Sequence, residues 1–141
     1  SHFAPEALTQ AVDVYRRGFQ PSEQATEPSV IAAGNVTVAP TEREAAEELN
    51  HATRSRVAAL LAPGRKLSDA ELDSVMSSPG GRQVASMMRY TASGTPDTVK
   101  TYLDDFQQHA NADELIVVPA SRSVENRLQS LELLAQVSRL G

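Results

Sequence analysis

The chain has 141 residues, enough for one domain with its own core and too few for two. It is 40% apolar and 22% charged, ordinary globular usage, and contains no run of roughly 18 apolar residues that would cross a bilayer. The balance of 18 acidic against 13 basic residues, a formal charge of -5, 4% aromatics and no cysteine exclude a basic nucleic-acid footprint, a platform of base-stacking aromatics, a disulfide framework and a thiolate nucleophile.

In chain order, Ser1–Pro5 reads as the end of an extended segment, and Pro5 suits the first turn of a helix that runs to about Arg17 and stops at Gly18. Leu8, Val12, Tyr15 and Phe19 form its apolar face. Gln20–Pro28 is polar and carries proline at 21 and 28, hence a loop. Val30–Val38 is nearly continuous in apolar or small residues, the pattern of an interior parallel strand buried on both faces.

Thr41-Glu42-Arg43-Glu44 spells a capping box, in which Thr41 accepts from the Glu44 amide and the Glu44 carboxylate reaches back. The helix it opens runs through Ala45, Leu49, Ala52, Val57 and Leu60-Leu61 to a stop at Pro63-Gly64. Ser68-Asp69-Ala70-Glu71 opens a second, short helix, and Pro79-Gly80-Gly81 separates it from a third over about 82–90. The stretch 64–93 is the least regular of the chain and reads as an irregular helical insertion.

Thr95-Pro96-Asp97 supplies an N-cap, a first-turn proline and a negative charge to a helix that buries Val99, Leu103 and Phe106 and ends near Ala110. Leu115–Val118 is a second buried strand, bounded by Asp113-Glu114 and Pro119. A last helix over about 123–140 turns Leu128, Leu131, Leu134 or Ala135, and Val137 inward. Strands alternating with helices imply an α/β architecture.

Three sets of residues, in this order, resemble the C-terminal part of luciferase-like flavin-dependent monooxygenases. Ser1-His2-Phe3-Ala4-Pro5, Tyr15-Arg16 and Phe19-Gln20-Pro21-Ser22 match the end of the sixth strand and the helix and loop after it. Ala39-Pro40-Thr41-Glu42-Arg43-Glu44-Ala45 matches the segment after the seventh strand, with Pro40 in place of the acidic residue often found there. Gly94-Thr95-Pro96-Asp97-Thr98-Val99, Glu114-Leu115 and Arg127–Ala135 match the approach to the eighth strand and the last helix.

The resemblance spans essentially all of residues 1–141. It implies a single partial domain, the C-terminal part of a (β/α)8 TIM barrel holding the end of strand six and strands seven and eight, of a fold that needs roughly 250 residues when whole. It implies a longer parent that uses reduced flavin, FMN or a deazaflavin, and O2 to oxidise a small organic substrate. The isolated chain is then expected to be inactive and to bind no flavin. Association with the missing barrel half, or a homo-oligomer, is the expected partnership, with neither nucleic acid nor membrane. The alternative is a non-catalytic, self-associating α/β interaction module, because an incomplete barrel leaves strand edges and an apolar face uncovered.

In such a barrel the chemistry sits at the C-terminal ends of the strands. That places Ser1-His2-Phe3, Val38-Ala39-Pro40 and Val118-Pro119-Ala120 nearest to it. By resemblance Ser1 and His2 approach the flavin ring. No catalytic residue is assigned. His51 and His109 lack partners at metal-ligand spacing, so no metal site is expected. The pairs Asp104-Asp105 and Asp113-Glu114 point apart and suit solvation and strand capping. Ser22, Ser121 and Ser123 stand in no nucleophile-elbow context, and no P-loop or dinucleotide fingerprint is present. Thr95 could hold an anion at its helix start, but the cap is the simpler role. Arg16-Arg17 and the Arg54/Arg56 pair suit solvated faces or bridges to acids. The cysteine-free composition, with no charged start and apolar stretch in Ser1–Arg17, sets the expectation of a cytoplasmic protein.

Overall fold

A computed structural model describes residues 5–88 and 90–138. The chain is a helix-rich α/β protein: α1 (Pro5–Gly18), β1 (Ile31–Val38), α2 (Glu42–Leu61), α3 (Asp69–Ser77), α4 (Pro79–Met87), β2 (Ala92–Gly94), α5 (Pro96–Ala110), β3 (Glu114–Pro119) and α6 (Val124–Val137). The three strands form one parallel sheet in the order β2-β1-β3. β1 is therefore the interior strand, as its apolar run implies. β3 pairs with it from Ile31↔Glu114 to Val36↔Pro119, and β2 only along Val36–Val38.

Strand alternation puts Ala32, Gly34, Val36 and Val38 on one face of the sheet. There Val36 and Val38 pack with Ala92, with Val99 and Leu103 of α5 and with Leu134 of α6, and Leu115 and Val117 of β3 join them. The opposite face carries Ile31, Ala33 and Asn35, in register with Glu114, Ile116 and Val118. Here Ile31, Ile116 and Val118 each remain more than half exposed. The expectation of a strand buried on both faces thus fails over the N-terminal half of β1, because α5 and α6 both lie on the other side.

The stretch 64–93 is more ordered than its composition implies. α3 opens with a complete capping box between Ser68 and Glu71. Pro79-Gly80-Gly81 does not separate helices but forms the first turn of α4, with the Ser78 hydroxyl accepting from the Gly81 amide. Gly81 is required by proximity, since a Cβ would overlap the Val75 carbonyl oxygen of α3. Arg54 of α2 ties α3 down through Asp73 at 2.6 Å. The segment then ends in β2, a strand too short at three residues to show a period.

Two caps differ from the sequence reading. Thr41 accepts from the Glu44 amide, but the Glu44 carboxylate accepts from the Thr41 hydroxyl at 2.7 Å. Thr95 makes no side-chain cap; the Glu42 carboxylate from α2 accepts from the Thr95 amide at 3.1 Å and the Thr98 hydroxyl at 2.6 Å. Gly94, at φ +151°, makes this approach possible: a Cβ there would lie 2.8 Å from Glu42 Oε2. The start of α5 is thus filled by the protein's own carboxylate, which leaves Thr95 no anion to hold. These hydrogen bonds, from Thr98 first and then Thr95, hold the Glu42 carboxyl below its usual range.

α6 follows only part of its apolar pattern: Leu134 and Val137 face the core as expected. Leu134 and Ser130 are buried, whereas Leu128, Leu131 and Ala135 are exposed. Val124 is exposed as well. Leu131 and Ala135, with Leu115, Val117 and Val137, line an open groove of about 720 Å³ between α5, α6 and β3.

At the N-terminal end of the sheet, α1 is fastened by Val12, which is buried, and by Arg16. Arg16 donates to the Asn111 carbonyl at 2.9 Å and to Asp113 Oδ2 at 2.8 Å. Asp113 Oδ2 also accepts from the Val30 amide at 2.7 Å, so one carboxylate joins α1, β1 and β3. Tyr15, expected inward, is exposed and meets Phe19 edge-on, with ring centroids 5.9 Å apart.

The Val30 amide first, and then the Arg16 guanidinium, hold the Asp113 carboxyl below its ordinary value. A lowered folded-state pKa contributes stability that is present above the unfolded value of about 3.9 and lost as pH falls through the folded one. Asp113→Asn is therefore expected to lower the urea midpoint at pH 7, with the gap to the wild type closing below about pH 4. A gap that persists unchanged at pH 2.5 would show that the carboxylate charge is not what holds this end together.

Candidate functional site

The two strand ends named by the sequence do lie side by side. The Ala120 amide donates to the Val36 carbonyl at 2.8 Å, and the Thr37 hydroxyl donates to the Ala120 carbonyl at 2.8 Å. Val38-Ala39-Pro40 and Val118-Pro119-Ala120 thus share the C-terminal edge of the sheet. Ser1 and His2 lie outside the described residues.

Beyond the end of β3, the main chain of β1 would have lost its partner. The Val38 amide finds one in the Ser130 hydroxyl of α6, at 2.7 Å, with Ser130 fully buried. On the other side the Ala39 amide donates to the Gly94 carbonyl at 3.2 Å. β1 therefore stays ordered past both neighbours and delivers Pro40 to the rim.

Glu48 is the most constrained acid at this end. Although only 9% exposed, it has both carboxylate oxygens engaged. Oε1 accepts from the Arg122 amide at 2.8 Å; Oε2 accepts from Asn126 Nδ2 at 2.9 Å, and Arg122 Nε lies 3.3 Å away. A carboxylate beside the start of α6 is also favoured by the helix dipole. Sequence reading did not single it out. Its signal was spacing: Glu48 falls between Ala45 and Ala52, both buried, on the inward stripe of α2.

A cleft of about 210 Å³ opens here, lined by Pro40, Glu44, Glu48, His51, Arg122 and Asn126 among others. Its acids are already committed: Glu44 to Thr41, Glu47 to Arg43 at 3.0 Å, and Glu48 as above. No group of three or more histidine or carboxylate side chains among the described residues is arranged to hold a metal ion. Ser123 caps α6 by accepting from the Asn126 amide at 3.1 Å. In the same loop, the Ser121 hydroxyl is buried and makes no hydrogen bond.

The other polar candidates have structural partners. His109, exposed in the last turn of α5, places Nδ1 2.7 Å from the Asp105 carbonyl oxygen. Asp104 pairs with Lys100 one turn back. Ser22 Oγ accepts from two following amides of its own loop, each at 3.3 Å. His51 is exposed at the lip of the cleft.

These features define an α/β protein with a parallel sheet whose strand ends converge on one polar rim. No family model matches the chain. It is 33% identical to an uncharacterized Bacillus subtilis protein, YddN, and 29% identical to a second, YvbT; each match covers 97% of this chain and 41% of the relative. The crystal structure of apo-MsnO8 superposes with a TM-score of 0.72 at 29% identity, over 95% of this chain and 42% of that one. The chain thus spans about two fifths of the length of these relatives. Among the described residues no helix is long and apolar enough to cross a membrane.

If Ser130 secures the end of β1, Ser130→Ala leaves the Val38 amide buried without an acceptor, at a cost of about 1–3 kcal/mol. Urea unfolding reads this directly. A loss under about 0.5 kcal/mol, the range of a neutral surface change, would mean that the bond adds nothing.

Proposed function

We propose that the chain is the C-terminal part of a luciferase-like, flavin-dependent oxidoreductase, the last strands and helices of a (β/α)8 barrel whose remainder belongs to a longer polypeptide. The observation that carries this reading is the one-sided sheet. Ile31, Ile116 and Val118 are apolar, aligned on adjacent parallel strands and open, as residues directed into a barrel interior would be. The free edge of β3 and the exposed Val124, Leu128 and Leu131 of α6 suit a neighbouring strand and its helix.

Surface area supports the same reading. The chain exposes 9292 Å², whereas a compact monomer of 15.1 kDa exposes about 7,000 Å². The excess, on the order of 2,000 Å², is the scale of an obligate interface. The match of nearly the whole chain to two fifths of each relative agrees with it.

In the barrel, the rim formed by Val38–Pro40 and Val118–Ala120 belongs to the face that carries the active site. A bound flavin supplies the redox chemistry, and this chain's part is to shape and order the rim around it. Ser1 and His2 remain the candidates that the family resemblance adds.

FMN titrated into this chain and into one extended to the relatives' length, followed by flavin fluorescence, tests the proposal. Micromolar binding by the extended chain alone is expected. Equal binding by the short chain would contradict a site that needs the missing strands, and no binding by either would remove flavin from the account.

A further inference from the structure

We propose that β3 is a docking strand through which this chain holds the rest of the barrel without a covalent link, so that the two parts assemble as separate polypeptides. The partner is the portion of the relatives that lies outside the 41% of their length matched by this chain. The inference rests on the barrel reading for that identity. The shape of the docking surface comes from the described residues alone.

Of the three strands, β3 alone contains no buried residue, although Leu115-Ile116-Val117-Val118 is apolar throughout. It is open on three sides. Ile116 and Val118 are 54% and 52% exposed on one face of the sheet. Leu115 and Val117, on the other face, line the open groove of about 720 Å³. Along the edge away from β1, no strand among the described residues pairs with it. Nothing guards that edge. Residues 115–118 carry neither charge nor proline, two of the devices that keep an exposed edge strand from pairing.

These openings select the occupant. β1 and β3 are parallel, and parallel strands are buried on both faces, so the segment that completes β3 is an extended apolar run. Once paired, it sets alternate side chains beside Ile116 and Val118 on one face and beside Leu115 and Val117 on the other. A second copy of this chain serves less well. Two β3 edges joined by a two-fold axis leave Ile116 and Val118 of both copies uncovered, whereas the rest of a barrel covers edge and face together.

The chain is already prepared to receive such a partner. Its core closes on its own residues, from Val36 and Val38 to Val99 and Leu134, and Arg16 with Asp113 fastens the N-terminal end of the sheet. What is missing is a surface and not a core. The exposure beyond that of a compact monomer, on the order of 2,000 Å², matches what permanent complexes bury.

The test uses the chain extended to the relatives' length, with a protease site placed at the junction with the remainder. After cutting, the two pieces are expected to co-elute one to one on gel filtration at micromolar concentration. Ile116→Lys on the open face and Leu131→Lys in the groove should each weaken the complex at least about tenfold. Leu60→Lys, at an equally exposed site on α2, should leave it unchanged. If a lysine variant of the 141-residue chain does not fold, Ile116→Thr, which keeps a strand-forming shape, decides in its place.

Pieces that separate on cutting would overturn the proposal, as would a complex that Leu60→Lys weakens as much as Ile116→Lys, or a 141-residue piece recovered as a dimer with itself. FMN tells this failure from that of the flavin reading. Pieces that stay together while neither they nor the uncut chain bind FMN uphold the docking strand and defeat the flavin reading. Pieces that separate although the uncut chain binds FMN do the reverse.

Discussion

A parallel sheet has strands that are apolar on both sides, and it is stable only when both sides are covered. Here α5 and α6 cover one side of β1 and β3, and over Ile31, Ile116 and Val118 no layer among the described residues covers the other. That imbalance governs the rest. It accounts for the surface in excess of a compact monomer, for the free edge of β3, and for an α6 whose Leu128 and Leu131 stay exposed. It also separates the two ends of the sheet. The N-terminal end is closed by Arg16 and Asp113, and the C-terminal end by hydrogen bonds that order a rim.

The two ends are built by different chemistry, which fits a division between stability and function. At the N-terminal end a single carboxylate satisfies a strand amide and a guanidinium at the edge of solvent. At the other end the partners are neutral hydroxyls and main-chain groups, Ser130 with Val38 and Thr37 with Ala120, together with the shielded Glu48. Such contacts resist salt and hold position, whereas exposed ion pairs contribute little to rigidity. A binding rim benefits from this kind of support, since a ligand then meets groups already in place.

Much of the fold was legible in the sequence. The apolar run through Val36 and Val38 gave the interior strand, and Ser68 with Glu71 marked a helix start that the structure contains in full. β2 was not legible, because three residues carry no period and Ala92-Ser93-Gly94 has no strand-forming side chain. α6 was legible only in part: Leu134 and Val137 face the core as expected, but Leu128 and Leu131 do not, and a fully buried position is Ser130, which serves an orphaned strand amide rather than the apolar face. The capping of α5 was also misplaced, since Glu42 acts from 53 residues away and no local motif announces it. The ends of β1 and β3 stand side by side, as their place in the sequence implied. Glu48 was not assigned, because its contacts arise only where α2 meets the start of α6.

The central claim is that the open side and free edge of this sheet are covered in a longer polypeptide. Amide exchange along β3 tests it most directly, by comparing the 141-residue chain with one extended to the relatives' length. Amides of Glu114–Val118 that point away from β1 should exchange rapidly in the short chain and be protected at least about a hundredfold in the long one, as expected when a strand pairs with them. Equal exchange in both would show that nothing docks on β3 and would contradict the account.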